Sequence, residues 1–215
     1  MDFDIARATM IEQQIRPWEV LDPRVLDALS QVRREDFVPA MYRRLAFADI
    51  ALPLDHDESM LKPVVEGRIL QALDLDADDD VLEIGTGTGF LTACLARLAH
   101  LVTTIDIHAD FIEAARARLS AAGALNVRLE AADALVWNAG RQFDSVCIGG
   151  AVAEIPPRVL DWVKPGGRLF VIRGNAPAQE AVRMTRRGDG WHSESLFETD
   201  IPYLRGTTPL LRFAL

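Results

Sequence analysis

Short apolar runs and stretches with apolar residues at helical spacing alternate along most of this chain. The runs at 81–84, 102–106, 127–131, 143–148 and 167–173 are mostly apolar and short, which suits strands buried on both faces. Residues 90–99, 109–122 and 156–162 place apolar positions three and four apart, the period of a helix packed on one side. Such alternation builds a doubly wound parallel sheet that receives ligands at the C-terminal ends of its strands. The pattern then changes. Residues 181–187, the turn Gly188-Asp189-Gly190 and residues 191–197 predict an antiparallel hairpin. Pro202 confines its own segment to a sheet edge or a loop.

Upstream, 6–15 predicts a helix that stops at Arg16-Pro17. Asp22-Pro23 supplies an N-cap and a first-turn proline for a second helix, with Val25, Leu26, Leu29 and Val32 on one face. Residues 37–62 hold no sustained period and include Pro39, Pro53 and the acidic run Asp55-His56-Asp57-Glu58. A long irregular segment of this kind is functional or disordered. Helical spacing returns at 63–73. The expected fold is therefore α/β and Rossmann-like: a doubly wound, mostly parallel seven-stranded sheet ending in an antiparallel hairpin, with an N-terminal helical extension.

Composition narrows the partners. The 215 residues carry a net charge of −9, and no stripe of Lys and Arg interleaved with aromatics occurs, so no nucleic acid partner is expected. No apolar run approaches the length of a membrane span. Met1-Asp2-Phe3-Asp4 has neither the basic nor the apolar region of a signal peptide, which makes the cytoplasm the expected setting. Cys94 and Cys147 sit singly within apolar runs. With no C-x-x-C and no ligand-spaced histidines, neither a disulfide nor a metal site is expected.

The strongest chemical signal is Val81-Leu82-Glu83-Ile84-Gly85-Thr86-Gly87-Thr88-Gly89, an apolar strand opening through three alternating glycines into a helix. Glycine tolerates positive φ and lets a ligand approach the backbone. Asp106 ends the next apolar run about twenty residues on, where an acid can bind ribose hydroxyls. A dinucleotide fingerprint would read G-x-G-x-x-G/A; here the glycines read G-x-G-x-G, and Phe90 takes the place of the third small residue. Glu83, two residues ahead of the first glycine, disfavours a diphosphate and suits a ligand with cationic groups. S-adenosyl-L-methionine carries a sulfonium, an ammonium and a ribose, and is the expected cofactor. A dinucleotide site and a plain tight turn are the alternatives.

Taken with their flanks, these residues resemble the protein-L-isoaspartate (D-aspartate) O-methyltransferase family nearly end to end. Arg34-Glu35-Asp36-Phe37-Val38-Pro39 is similar to its R-E-x-F-V-P segment, and Ala46-Phe47-Ala48-Asp49 with Leu52-Pro53 to its A-Y-x-D-x-x-L-P. Val81 to Gly89 resembles its glycine motif. Phe143-Asp144-Ser145-Val146 through Glu154-Ile155-Pro156 resembles its fourth strand and the loop after it, and Pro165-Gly166-Gly167-Arg168-Leu169 its fifth strand. Residues 196–204 are similar to its closing F-x-x-V-x-F-V-P-L. One loop departs. The family's G-x-G-Q-T-I-S-x-P is here Asp55-His56-Asp57-Glu58-Ser59-Met60-Leu61-Lys62-Pro63. Acids beside a site meant for a carboxylate repel it, least so if they point to solvent.

The resemblance implies two parts within one structural domain: N-terminal helices and acceptor loop at 1–62, and the cofactor-binding methyltransferase core at 63–215. Glu83 is assigned to the methionine end of the cofactor, and Gly85, Thr86, Gly87 and Gly89 to close backbone passage. Asp106 with Ile107 takes the ribose side, and Asp133 with Ala134 the adenine edge. Asp106 or Asp133 could instead cap the next helix or turn. Ser59 is the candidate catalytic contact, or a plain loop serine, and His56, Met60 and Leu61 complete the acceptor loop. His56 is expected to pair with its acidic sequence neighbours in solvent, and His108 and His192 to be surface residues. A carboxylate acceptor is ionised near neutral pH, so methyl transfer to it needs alignment rather than a general base. The implied partners are isoaspartyl-containing peptides or proteins, or another small acceptor, met by a monomer or dimer. A cofactor-binding interaction module without catalysis is the alternative from another class.

Overall fold

The computed structural model describes residues 2–209. Helix α1 (Phe3–Met10) starts earlier than periodicity suggests because Asp2 caps it, its Oδ1 accepting the N–H groups of Asp4 at 3.0 Å and Ile5 at 3.2 Å. The helix widens at Ile11–Ile15 and ends in a tight turn through Pro17. Helix α2 (Pro23–Gln31) has the expected Asp22 cap and Pro23 in its first turn. The segment without a period is ordered: β1 (Leu52–Pro53) and β2 (Ser59–Met60) pair antiparallel around the acidic turn. Helix α3 (Pro63–Leu73) then leads into the core.

The core runs β3 (Asp80–Ile84), α4 (Phe90–Leu98), β4 (Leu101–Asp106), α5 (Ala109–Ala121), β5 (Val127–Ala131), β6 (Phe143–Val152), α6 (Pro157–Asp161), β7 (Val163–Arg173), β8 (Gln179–Arg187) and β9 (Gly190–Thr199). The strands form one seven-stranded sheet in the order β5-β4-β3-β6-β7-β8-β9. Neighbours from β5 to β7 are parallel, and β8 and β9 add the antiparallel hairpin. Strand β6 outruns its apolar stretch because a register shift between Cys147 and Ala151 lets it continue through Gly149 and Gly150.

The two sheet faces are covered unequally. Val81, Val102, Cys147 and Phe170 pack under α3, α4, α5 and the N-terminal helices. Leu82, Ile84, Val146, Ile148 and Leu169 pack against Val159 of α6, Trp162 and the irregular stretch near Trp137. Trp137 and Trp162 meet edge to face at 5.4 Å, a packing role. Cys94 and Cys147 are free and wholly buried.

A buried ion pair fastens the N-terminal layer to this core. Arg34 is 1% exposed. Its Nε donates to the Ala46 carbonyl at 2.9 Å, its Nη2 to the Leu61 carbonyl at 2.7 Å, and its Nη1 to the Glu66 carboxylate on α3. Its guanidinium also lies 4.6 Å from the centre of the Phe90 ring, at the start of α4. Arg34→Met is expected to destabilise the fold by about 3–5 kcal/mol, because Glu66 is left as an uncompensated buried charge. The double variant Arg34→Met/Glu66→Leu is expected to recover much of that loss in urea denaturation.

Candidate active site

The C-terminal ends of β3, β4, β5 and β6 open onto one crevice, where strand order reverses between β3 and β6. Its floor is backbone. Gly85 holds φ +94°, and a Cβ placed on Gly149 would stand 3.1 Å from the Gly85 carbonyl oxygen. A Cβ on Gly150 would come 3.0 Å from the Leu204 nitrogen. These glycines let the turn after β3, the end of β6 and the segment after β9 nest against one another. That last segment is a strap. Ala151 N–H donates to the Pro202 carbonyl at 2.9 Å, and Leu204 N–H to the Ala151 carbonyl at 2.7 Å. The strap walls the crevice with residues 202–205.

Asp106 stands at the exit of β4, 8% exposed. Its Oδ2 accepts Gly87 N–H and its Oδ1 accepts His108 N–H, each at 2.9 Å. The acid thus clamps the glycine turn to the next crossover. Burial raises its carboxyl above the ordinary range, and those two N–H groups oppose the rise. Ile107, Asp133 and Ala134 line the same wall. Asp133 also accepts Leu135 N–H at 2.8 Å, so it both caps a turn and faces the crevice.

The acceptor loop divides. Ser59 and Leu61 line the crevice with Leu54 and Glu58, whereas Met60 turns into the core at 4% exposed. His56 lies outside the wall, and its partner is not a sequence neighbour: Nε2 meets the Asp110 carboxylate of α5 at 2.9 Å. Alternation along the two-residue strand β2 explains the split, since successive side chains point to opposite faces. Thr86 and Gly89 also lie off the wall. Thr86 Oγ1 shares a 2.6 Å hydrogen bond with Thr104, and Gly89 holds φ +88° where α4 begins.

Several wall residues escaped sequence reasoning: Glu58, His108, Phe111, Gly149, Gly150 and the strap. His108 is the clearest correction. Instead of lying on the surface, its side chain is 13% exposed and lines the crevice from the position just before α5. Its place two residues after Asp106 was the available signal. Arg205 is the only Lys or Arg on the wall among the described residues. Its Nε donates to Glu58 Oε1 at 2.9 Å, its Nη2 to the His56 carbonyl, and His108 Nε2 lies 3.3 Å from the same Glu58 oxygen. The acids of this loop are thus not left bare: Glu58, the one that faces the crevice, is paired.

Glu83 does not reach the crevice. It is wholly buried, with Thr92 Oγ1 donating to its Oε2 at 2.5 Å and its Oε1 without a partner. Burial pushes its carboxyl from an ordinary 4.5 up to about 8, against the opposing effect of hydrogen bonds from Thr104 and Thr92. Its bond to Thr92 braces α4 against β3.

The family model for protein-L-isoaspartate(D-aspartate) O-methyltransferase matches residues 6–202. A protein-L-isoaspartate O-methyltransferase of Methylorubrum populi is 36% identical over 206 residues, 94% of this chain and 97% of that protein. One from Rhodopseudomonas palustris is 36% identical over 182 residues, 84% of each chain. Among solved structures, a Plasmodium falciparum protein described as a protein-L-isoaspartate O-methyltransferase, crystallised with S-adenosyl-L-homocysteine, shares the fold. Its TM-score is 0.80 at 17% identity, over 93% of this chain and 98% of that one.

The Glu83 carboxyl sets a pH dependence. Between its unfolded value and about 8 the folded state holds the extra proton, so this residue's contribution to stability falls as pH rises through that window. Glu83→Gln is expected to flatten that slope. Denaturation should find it close to wild type near pH 5 and more stable by roughly 2–4 kcal/mol near pH 9.

Proposed function

Because the chain belongs to the protein-L-isoaspartate(D-aspartate) O-methyltransferase family, we propose that it is an S-adenosyl-L-methionine-dependent carboxyl O-methyltransferase acting on isoaspartyl residues of damaged proteins. The observation that carries the cofactor half is the crevice's charge and backbone. Three acids, Glu58, Asp106 and Asp133, face it against the single arginine, over a floor of glycines. That wall repels a diphosphate and accepts a nucleoside bearing cationic groups.

Gly85 and Gly87 would admit the cofactor close to the backbone. Asp106 would accept from the ribose hydroxyls, and Asp133 and Ala134 would border the base, with Ile107 and Phe111 as apolar walls. When bound, the cofactor supplies an electrophilic methyl group on a sulfonium. The chain's own part is placement. Ser59 offers a hydroxyl to an acceptor carboxylate, and Leu54, Leu61 and the strap exclude water. Arg205 pairs with Glu58, so an incoming carboxylate meets one bare acid fewer at the rim. An ionised carboxylate is already the nucleophile, so carboxyl methylation asks for alignment and gives His108 on the wall no proton to remove. The buried, unpaired thiols Cys94 and Cys147 suit a reducing compartment, which favours a cytoplasmic setting.

Incubation with methyl-labelled S-adenosyl-L-methionine and an isoaspartyl peptide should label that peptide and leave its aspartyl counterpart unlabelled. Labelling of neither, with cofactor binding intact, would reject the acceptor assignment. Asp106→Ala is expected to weaken adenosylhomocysteine binding by roughly 1–3 kcal/mol in calorimetry, the scale of hydrogen bonds to a charged group. An unchanged dissociation constant would reject the ribose role.

A further inference from the structure

We propose that His56, His108 and Asp110 form a binding site for a divalent transition-metal cation at the rim of the crevice. A ring nitrogen of each histidine and a carboxylate oxygen of Asp110 all lie within 4.8 Å of one another. His56 Nε2 is 2.9 and 3.1 Å from the two Asp110 oxygens. The imidazoles stack with centroids 4.1 Å apart and planes 3° from parallel, and Phe111 presses edge-on against both at 5.4 and 5.2 Å. Among the described residues, this is the one such group of histidine, cysteine and carboxylate donors.

The backbone brings His56 there under strain. His56 and Asp57 are consecutive non-glycine residues with φ of 62° and 61°, a left-handed conformation that His and Asp adopt more readily than most side chains and that clusters at functional sites. The hairpin of β1 and β2 holds this turn over the start of α5.

Chemistry selects the ion class. Two imidazole nitrogens with one carboxylate suit Zn²⁺, Co²⁺ or Ni²⁺, whereas Mg²⁺ and Ca²⁺ prefer all-oxygen shells. Ligands at about 2.0–2.2 Å from a shared ion stand about 3–3.5 Å apart, and His56 and Asp110 already have that spacing. The parallel rings aim their lone pairs side by side, so binding requires one ring to tilt. His56, with 40% of its side chain exposed, is free to do so. Glu58, 3.3 Å from His108 Nε2, orients that ring, as carboxylates behind metal-bound histidines do. Asp55 and Asp57 add negative potential on the same turn. Arg205 pairs with Glu58 and donates to the His56 carbonyl, which sets one positive charge beside the turn.

A bound ion would tie the acceptor loop to α5 beside the crevice-lining His108. The site rests on this geometry alone and does not depend on the methyltransferase reading. Spacing along the chain conceals it, because the loop and α5 meet only in the folded protein.

The test uses the full chain without a polyhistidine tag. Zn²⁺ is titrated by calorimetry, and Co²⁺ is followed by its visible absorption. The expected result is one saturable ion per chain, with Co²⁺ bands lacking thiolate charge transfer. His56→Ala and Asp110→Asn, both in exposed positions and checked for wild-type circular dichroism, should each weaken Zn²⁺ by about tenfold or more. His100→Ala, which alters a histidine paired only with Asp80, should bind as wild type. No saturable Zn²⁺ uptake below about 100 μM, or equal affinity in His56→Ala and Asp110→Asn, would overturn the proposal.

Discussion

The guanidinium of Arg34 joins four segments that would otherwise have little reason to stay together. It reaches the Ala46 and Leu61 carbonyls, the Glu66 carboxylate of α3 and the face of Phe90 at the head of α4. Both charges are buried, so the pair offsets a desolvation penalty that neither could bear alone. Burial raises the Glu66 carboxyl, and Arg34 draws it back down. The constraint matters for the site because Leu61 lines the crevice and Phe90 comes directly after the last glycine of the turn. One side chain therefore positions the loop at Leu61 and the glycine turn relative to each other.

Around that anchor the crevice is assembled by close backbone approach. Asp106 holds the glycine turn through Gly87 N–H and the crossover through His108 N–H. Gly149 and Gly150 leave room for Gly85 and Leu204 where a side chain would press on their backbone. The strap that results brings Arg205 to Glu58. The acidic loop, which looks hostile to a carboxylate as a string of letters, is balanced at the rim by a residue far along the chain.

Much of this was legible before folding. The central strands, buried on both faces, are continuous apolar runs and were visible as such, with β6 and β7 longer than their apolar stretches. The glycine turn between β8 and β9 marked their hairpin. Gly85, Gly87, Asp106, Ile107, Asp133 and Ala134 fall at strand exits and do line the crevice. Ser59 and Leu61 were placed by resemblance and line it too, while Met60 and Thr86 point away. Glu83 lies off the wall, because periodicity shows that a strand residue alternates, but not which face borders the crevice. Gly149, Gly150 and the strap carried no local signal, because their role is to admit segments distant in sequence.

The amino-acid sequence by itself determined the order of the core elements and the glycine turn, since each derives from hydrophobic period and the stereochemistry of single residues. Only the tertiary structure decided which side chains share a space. The pairing of Glu58 with Arg205, the stacking of His56 on His108 beside Asp110, and the enclosure of Glu83 all join residues from different elements. Their proximity depends on how strands register and helices pack, and that information is spread over the whole core rather than written at any one position.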